Sequence, residues 1–135
     1  MQIATDNRNP VKRDAAVPVD SFPHHRLDAY RVALQMATAA KRAAARVPRG
    51  YRTLADQMLR AACSTVLLIS EGANRFSAGD KRQRFRMAQG ECGECAAASE
   101  LAMKLGLVPT HEALAVQQLA ARVGAMLTRL IRRFQ

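Results

Sequence analysis

The sequence predicts an all-α protein that folds as an up-and-down antiparallel four-helix bundle. Its 135 residues are the length of one domain, and 49% of them are hydrophobic, which is enough to bury a core. Only 4% are aromatic and none is tryptophan, a composition that suits closely packed helices and gives strands little to pack with. Four amphipathic stretches follow one another with short connections. Helices joined by short loops pack antiparallel to their neighbours in the chain, which gives the bundle.

Residues 1–23 have no sustained hydrophobic period and contain three prolines among polar and small residues. They are expected to form a flexible arm, which Lys12 and Arg13 make mildly basic, ahead of a bundle formed by residues 24–135. The arm lacks the apolar stretch of a signal peptide, and no segment approaches about 18 uninterrupted apolar residues. We therefore expect a soluble, cytoplasmic protein without a membrane partner.

The first two helices are predicted from hydrophobic period and from their end signals. Apolar residues keep to one helical face from Leu27 to Val47, after which a proline and a glycine stop the pattern. The second helix is predicted to start at Thr53, which forms with Asp56 a pair resembling a capping box, and to continue to Gly72.

The third helix is predicted from Ser77, a capping residue, to Leu105. Gly90 and Gly93 interrupt it, and each costs about 1 kcal/mol relative to alanine inside a helix. Their presence favours a neighbouring element that packs closely against them. The fourth helix is predicted to start with Thr110 as its cap, because apolar residues then alternate by three and four as in a coiled coil.

A polar stripe interrupts the apolar pattern of the second helix. Its members recur at spacings of three, four and seven, so they fall within an arc of roughly 60°. Antiparallel packing places carboxylates of the third helix beside it, and we expect Arg60 to pair with Glu91 or Glu94. A structural network holding helices or subunits in register is the favoured interpretation, and a functional pocket is the alternative. This polar seam comprises Gln57, Arg60, Ser64, Glu71, Glu91 and Glu94.

The sequence offers little support for catalysis or metal binding. No nucleophile elbow, glycine-rich phosphate loop or paired-acid motif appears, so we expect no enzyme, no catalytic residue and no cofactor. Cys92 and Cys95 have redox-motif spacing but lie mid-helix without a second pair, so reduced helix-interior thiols are favoured over a metal or redox site. His24, His25 and His111 share no helical face with a cysteine or a carboxylate, and are interpreted as surface or capping residues.

Basic residues are the better candidates for a functional surface. The chain has 21 Lys and Arg against 11 Asp and Glu, a formal net charge of +10, which favours an anionic partner. In an up-and-down bundle, the turn between helices two and three lies at the same end as both termini, so basic residues from several segments could converge there. Arg46, Arg49 and Arg52 add charge at the opposite end. The predicted nucleic-acid-binding residues are Arg75, Lys81, Arg82, Arg84, Arg86, Arg122, Arg129, Arg132 and Arg133.

Three short motifs of helices two and three, in order, resemble a known family: Arg60-Ala-Ala-x-Ser64, Glu71-Gly-x-x-Arg75 and Gly90-x-x-x-Glu94. The family comprises four-helix-bundle proteins encoded in intervening sequences of bacterial 23S ribosomal RNA genes. The resemblance implies a ring-like homo-oligomer, a pentamer, and kinship with the nucleic-acid-binding accessory protein of diversity-generating retroelements. It also implies structural roles for Arg60, Ser64, Glu71, Arg75 and Glu94.

The expected function is non-catalytic association of this homo-oligomer with RNA or DNA. Few aromatic residues lie near the basic ones, so we expect contact with phosphates and little base stacking or sequence readout. The alternative is a protein-protein scaffold or adaptor, for example for a polymerase, with no direct nucleic-acid role. Binding that is lost between low and moderate salt would favour nucleic acid over the adaptor. A third reading is that the arginines merely solvate the bundle.

Overall fold

The computed structural model describes residues 16–135, so most of the predicted arm lies outside the described residues. Residues 16–22 are exposed and carry no helix. Four α-helices and two short 3-10 helices make up the rest, without a strand in this part of the chain. The α-helices are α1 (Asp28–Arg46), α2 (Arg52–Ala73), α3 (Ala78–Lys104) and α4 (Thr110–Arg133), and 3-10 helices at Pro23–Arg26 and Arg49–Tyr51 lead into α1 and α2.

The four helices form the predicted up-and-down bundle. Each packs against its neighbour in the chain, and α1 also packs against α4 to close the bundle, while α2 and α4 lie diagonally opposite with no pair of Cα atoms within 8 Å. The start of α1, the α2–α3 turn and the end of α4 therefore lie together at what we call the terminal end. Within residues 16–135, no helix combines the length and hydropathy required to cross a bilayer.

The core is built largely from alanine, with a few large side chains between. Phe85, Met36, Met58 and Ile69 are among the largest fully buried residues. Alanines of all four helices are fully buried beside them: Ala33, Ala40 and Ala43 on α1, Ala61 and Ala62 on α2, Ala88 and Ala102 on α3, and Ala113 on α4. Short side chains let helix axes approach closely, so the scarcity of aromatic residues suits this fold.

The ends of α3 agree with their sequence signals. The Asp80 N–H donates to Ser77 Oγ at 3.1 Å, which confirms Ser77 as the N-cap. Gly106 has a φ of 71°, and the Leu107 N–H donates to the Ala102 carbonyl at 2.9 Å, the bond that closes a Schellman motif. Only a residue without a Cβ adopts this φ at little cost, so the chain turns here towards α4.

The predicted caps at the other two helix starts are wrong. Thr53 lies inside α2, because the 3-10 turn before it continues directly into the α-helix and makes Tyr51 the N-cap. Thr110 is the first residue of α4, whose N-cap is Pro109, and neither helix has a side-chain capping bond. The N–H groups of Glu112 and Ala113 both donate to the Pro109 carbonyl at 3.1 Å, so the first turn of α4 closes without a hydroxyl cap.

No part of residues 16–135 packs against Gly90 or Gly93 as predicted, and the close helix contact within the bundle lies elsewhere. A Cβ built on Gly90 or Gly93 would meet no atom within 4 Å, since both face outward from α3. A Cβ on Gly72 would instead lie 2.7 Å from the ring of Phe85. Gly72 therefore lets α2 and α3 approach each other next to the terminal end.

Side chains of α3 that bond to backbone carbonyls of α4 fix the register of these two helices. Ser99 Oγ donates to the Ala113 carbonyl at 2.9 Å, and Cys92 Sγ donates to the Ala120 carbonyl at 3.2 Å. Both side chains are buried, so each bond satisfies a group that water cannot reach. The hydrophobic pattern of the sequence does not predict these two hydrogen bonds.

Candidate nucleic-acid interface

The polar seam lies on the solvent side of α2 and α3. Arg60 Nη2 is 3.6 Å from Glu94 Oε1, so the predicted contact is present. The two side chains are 68% and 42% exposed, which means that water solvates both charges. Glu71 contacts Arg84 at 3.7 Å, so one carboxylate of the seam neutralises one of the predicted nucleic-acid-binding arginines.

The other seam residues form no side-chain hydrogen bond with a residue in 16–135. Gln57 is exposed and Ser64 is half-buried. Glu91 is also half-buried, and its Oε2 atom is inaccessible to water yet has no partner in the described part of the chain. The seam thus consists of one exposed and one partly exposed ion pair, together with polar groups that have no side-chain partner in residues 16–135.

Arg60→Ala is expected to lower the free energy of unfolding of one chain by less than about 1 kcal/mol, because an exposed ion pair contributes little. A buried pair would cost about 3 to 5 kcal/mol when broken. Urea unfolding at two protein concentrations measures the difference. A larger loss at both concentrations would contradict the exposed geometry.

Three of the predicted nucleic-acid-binding residues are already used within the bundle. Lys81 Nζ donates to the Ala73 carbonyl at 2.9 Å, at the end of α2. Arg82 Nη1 donates to the Phe134 carbonyl at 2.8 Å, just past the end of α4. These cations satisfy carbonyls that a helix end leaves unpaired and complement the negative end of the helix dipole. Arg84 pairs with Glu71 of the polar seam, so three basic residues near the start of α3 make contacts within the bundle.

The remaining six are exposed and form no ion pair with a carboxylate in residues 16–135. Most of them converge at the terminal end, where the α2–α3 turn meets the last turn of α4. Arg122 lies one heptad before Arg129 on the same face of α4, about 10 Å further along the axis. These six residues are Arg75, Arg86, Arg122, Arg129, Arg132 and Arg133.

Arg26 joins this surface and was missed from the sequence. It ends the 3-10 helix before α1 and lines an open cleft of about 370 Å³ together with Arg129 and Arg133. The signal was available, because any basic residue directly before the first helix lies at the terminal end of an up-and-down bundle. We call Arg26, Arg75, Arg86, Arg129, Arg132 and Arg133 the basic end.

The opposite end of the bundle is less strongly cationic than its arginines indicate. Arg46 Nη2 is 3.2 Å from Glu112 Oε1, whose side chain is largely buried. Arg49 and Arg52 line a separate open cleft of about 280 Å³ together with Lys41. One of the three arginines predicted at this end is therefore neutralised by a carboxylate.

Comparison with known proteins assigns the family. Residues 25–129 match the profile of the 23S rRNA-intervening sequence protein family. The chain belongs to this family. The match covers α1, α2, α3 and most of α4, which confirms the resemblance found in the helical motifs. A search of curated proteins found no significant match. Within the basic end, Arg132 and Arg133 lie beyond the family match, and the other four arginines lie inside it.

In this 23S rRNA-intervening sequence protein, an aromatic cluster holds the start of α1 against α2. The rings of His24 and Tyr30 have centroids 4.6 Å apart, and His25 lies 4.3 Å from His24. Asn74 Nδ2 and Ser70 Oγ lie 2.9 Å and 3.2 Å from His24 Nδ1, and these contacts join the cluster to the end of α2. The two histidines, interpreted as surface or capping residues, are half-buried, and His24 contacts Ser70 and Asn74 at the end of α2.

Acidification is expected to destabilise this cluster. Burial, helped by the nearby His25, lowers the pKa of His24 from its ordinary value of 6.5. A base whose pKa is lower in the folded state contributes stability above its unfolded pKa and loses it as the pH falls, so the loss begins below about pH 6.5. Melting temperatures of wild type and His24→Gln between pH 7.5 and pH 5 test this. As the pH falls, the melting temperature of the wild type should decrease more than that of His24→Gln. Equal decreases in the two proteins would refute the assignment to His24.

The cysteines of this family member carry no reactive thiolate in the core. Burial raises the pKa of Cys92 to about 11 and that of Cys95 to about 12, so both stay protonated at neutral pH. Cys63 is exposed and unbonded. Among residues 16–135, no group of three or more histidine, cysteine or acidic side chains is arranged to hold a metal ion.

Proposed function

We propose that this protein is a non-catalytic nucleic-acid-associated bundle that contacts RNA or DNA phosphates through its basic end. One observation carries the proposal: arginines from three separate segments are exposed at one end of the bundle without a carboxylate partner in residues 16–135. Clustered arginines bind phosphates through charge and through paired N–H donors, whatever the sequence of the nucleic acid. The formal net charge of +10 adds long-range attraction to an anionic polymer.

The test replaces Arg129, Arg132 and Arg133 by glutamine together. Removing three phosphate contacts should flatten the dependence of log affinity on log salt by about 2 for a single strand and weaken binding about tenfold at moderate salt. Fluorescence anisotropy with labelled RNA and DNA, repeated across a salt series, measures both quantities. Arg82 is left intact because its guanidinium caps α4.

The matched control removes the same number of charges at the opposite end, through Lys41→Gln, Arg49→Gln and Arg52→Gln. If net charge alone attracted nucleic acid, both triple variants would lose affinity equally, and the basic end would have no special role. If the wild type bound neither RNA nor DNA at low salt, the nucleic-acid proposal would fail altogether. A protein adaptor would then be the leading function.

A second proposal concerns assembly, and the outer face of α2 and α3 favours it. Leu67 on α2 is 62% exposed and Met87 on α3 is 44% exposed, and Gly90 and Gly93 also face outward from α3. This face also holds the exposed charges of Arg60 and Glu94, so two copies could complement each other. We propose that a second copy of the chain covers it, as the ring implied by the family resemblance requires.

Light scattering tests the assembly. We expect the wild type to have several times the mass of one chain, and the pair Leu67→Glu with Met87→Glu to reduce it to that of a single chain. Leu34→Glu is the control, since Leu34 lies on α1, away from this face, and is as exposed as Met87. A monomeric wild type would eliminate the homo-oligomer and leave the exposed apolar face to a different protein.

A further inference from the structure

Two adjoining clefts open at the terminal end, between the 3-10 helix that precedes α1 and the end of α4. The first has a volume of about 370 Å³ and the second about 280 Å³. They share four lining residues, namely Arg26, Leu27, Leu130 and Arg133. Two arginines and two leucines therefore separate the two open clefts.

The charge of the clefts suits a phosphate at this boundary. Arg26 and Arg133 line both clefts, and Arg129 lines the first. The only carboxylate among the lining residues is Asp28, which is 3.3 Å from the guanidinium of Arg31. An anion between Arg26 and Arg133 would therefore contact two guanidinium groups, neither of which pairs with a carboxylate in residues 16–135.

The second cleft adds an aromatic surface. Phe134 lines it and is half-buried, with Lys81 Nζ 5.7 Å from the centre of its ring. Phe85 lies behind, its ring centroid 6.1 Å from that of Phe134. A flat apolar ring next to cations is the combination on which a nucleic-acid base stacks. Stacking had little support from the sequence because few aromatic residues lie near the basic ones in the chain.

We propose that these clefts bind two consecutive nucleotides of a single strand, a proposal that rests on the proposed association with nucleic acid. The linking phosphate lies between Arg26 and Arg133, and one base stacks against Phe134 in the second cleft. Each volume is near the lower limit of about 300 Å³ for a small-molecule pocket, and both clefts are open, which suits successive units of a polymer. A duplex keeps its bases paired inside the helix, so they cannot enter.

The test compares labelled oligonucleotides of about 12 residues, as single-stranded RNA, single-stranded DNA and duplex DNA, by fluorescence anisotropy. Arg26→Gln should weaken single-strand binding about tenfold and reduce the salt slope by about 0.7. Phe134→Ala should weaken it about tenfold without changing the salt slope, because stacking involves no counterion release. Duplex binding should be weaker and unaffected by Phe134→Ala. Comparing the two single strands identifies which nucleic acid the clefts prefer.

Matched variants separate the site from the fold. Phe76→Ala removes a fully exposed phenylalanine that lies outside both clefts, and Arg49→Gln removes a charge from the opposite end, so neither should change single-strand binding. Phe134→Tyr should retain the affinity, and melting curves verify that each variant is folded. Duplex binding as tight as single-strand binding, or an unchanged affinity of Phe134→Ala, would overturn the two-nucleotide site while leaving phosphate contact by the basic end intact. Absence of any binding by the wild type would instead refute the proposed function.

Discussion

Phe85→Ala is expected to lower the free energy of unfolding by about 3 to 5 kcal/mol, the largest effect of any single substitution considered for this protein. Phe85 is only 1% exposed and is the largest fully buried side chain in residues 16–135. Its ring fills the space that Gly72 leaves between α2 and α3 and also contacts Phe134. Alanine would remove the apolar surface and leave a cavity that a rigid, alanine-rich core fills poorly.

Chemical denaturation of wild type and variant measures this loss. Phe76→Ala is the matched control, because the same substitution at a phenylalanine with 103% relative exposure should change stability by less than about 0.5 kcal/mol. Similar losses in the two variants would mean that Phe85 is not the centre of the α2–α3 contact.

Gly72→Ala is expected to destabilise the bundle by about 1 to 3 kcal/mol through overpacking. The added methyl group would lie 2.7 Å and 2.8 Å from two ring carbons of Phe85, closer than real Cβ contacts allow. On an open helix face the same change stabilises by up to about 1 kcal/mol, because alanine is the better helix former. Gly124→Ala provides that comparison, since a Cβ at this interior position of α4 meets no atom within 4 Å.

A double-mutant cycle attributes the clash to the contact between the two residues. Combining Gly72→Ala with Phe85→Leu should cost less than the sum of the two separate losses, because the smaller side chain makes room for the methyl group. Strict additivity, or a stabilising Gly72→Ala, would show that the helices separate easily at this point.

The polar seam illustrates how far a sequence pattern carries. The spacing of Arg60 and Glu94 correctly indicated that they meet across α2 and α3, because helical geometry and antiparallel order fix which residues are neighbours. The pattern did not show that the pair faces water. Exposure depends on the rotation of both helices about their axes, which the packing of buried alanines decides.

At the terminal end, too, the sequence predicted which segments meet, and the packing decided which basic residues are exposed. Topology alone was enough to expect that the α2–α3 turn and the end of α4 meet there. Which cations remain exposed was not accessible in this way, because it depends on whether a side chain reaches a carbonyl of another helix end. Lys81 bonds to the Ala73 carbonyl at the end of α2, and Arg82 bonds to the Phe134 carbonyl just past α4. Arg26 could have been included from the same topology, since it directly precedes α1.

By itself, the sequence determined the all-α class, the four helices and their antiparallel order, and the family motifs. These depend on local properties: hydrophobic period, helix propensity, and glycine or proline at the turns. Only the tertiary structure decided the Gly72–Phe85 contact, the burial of the histidine cluster, the capping of helix ends by basic side chains, and the adjoining clefts at Arg26 and Arg133. Each of these joins residues of different helices or turns, and their distances are set by how closely and at what rotation the helices pack.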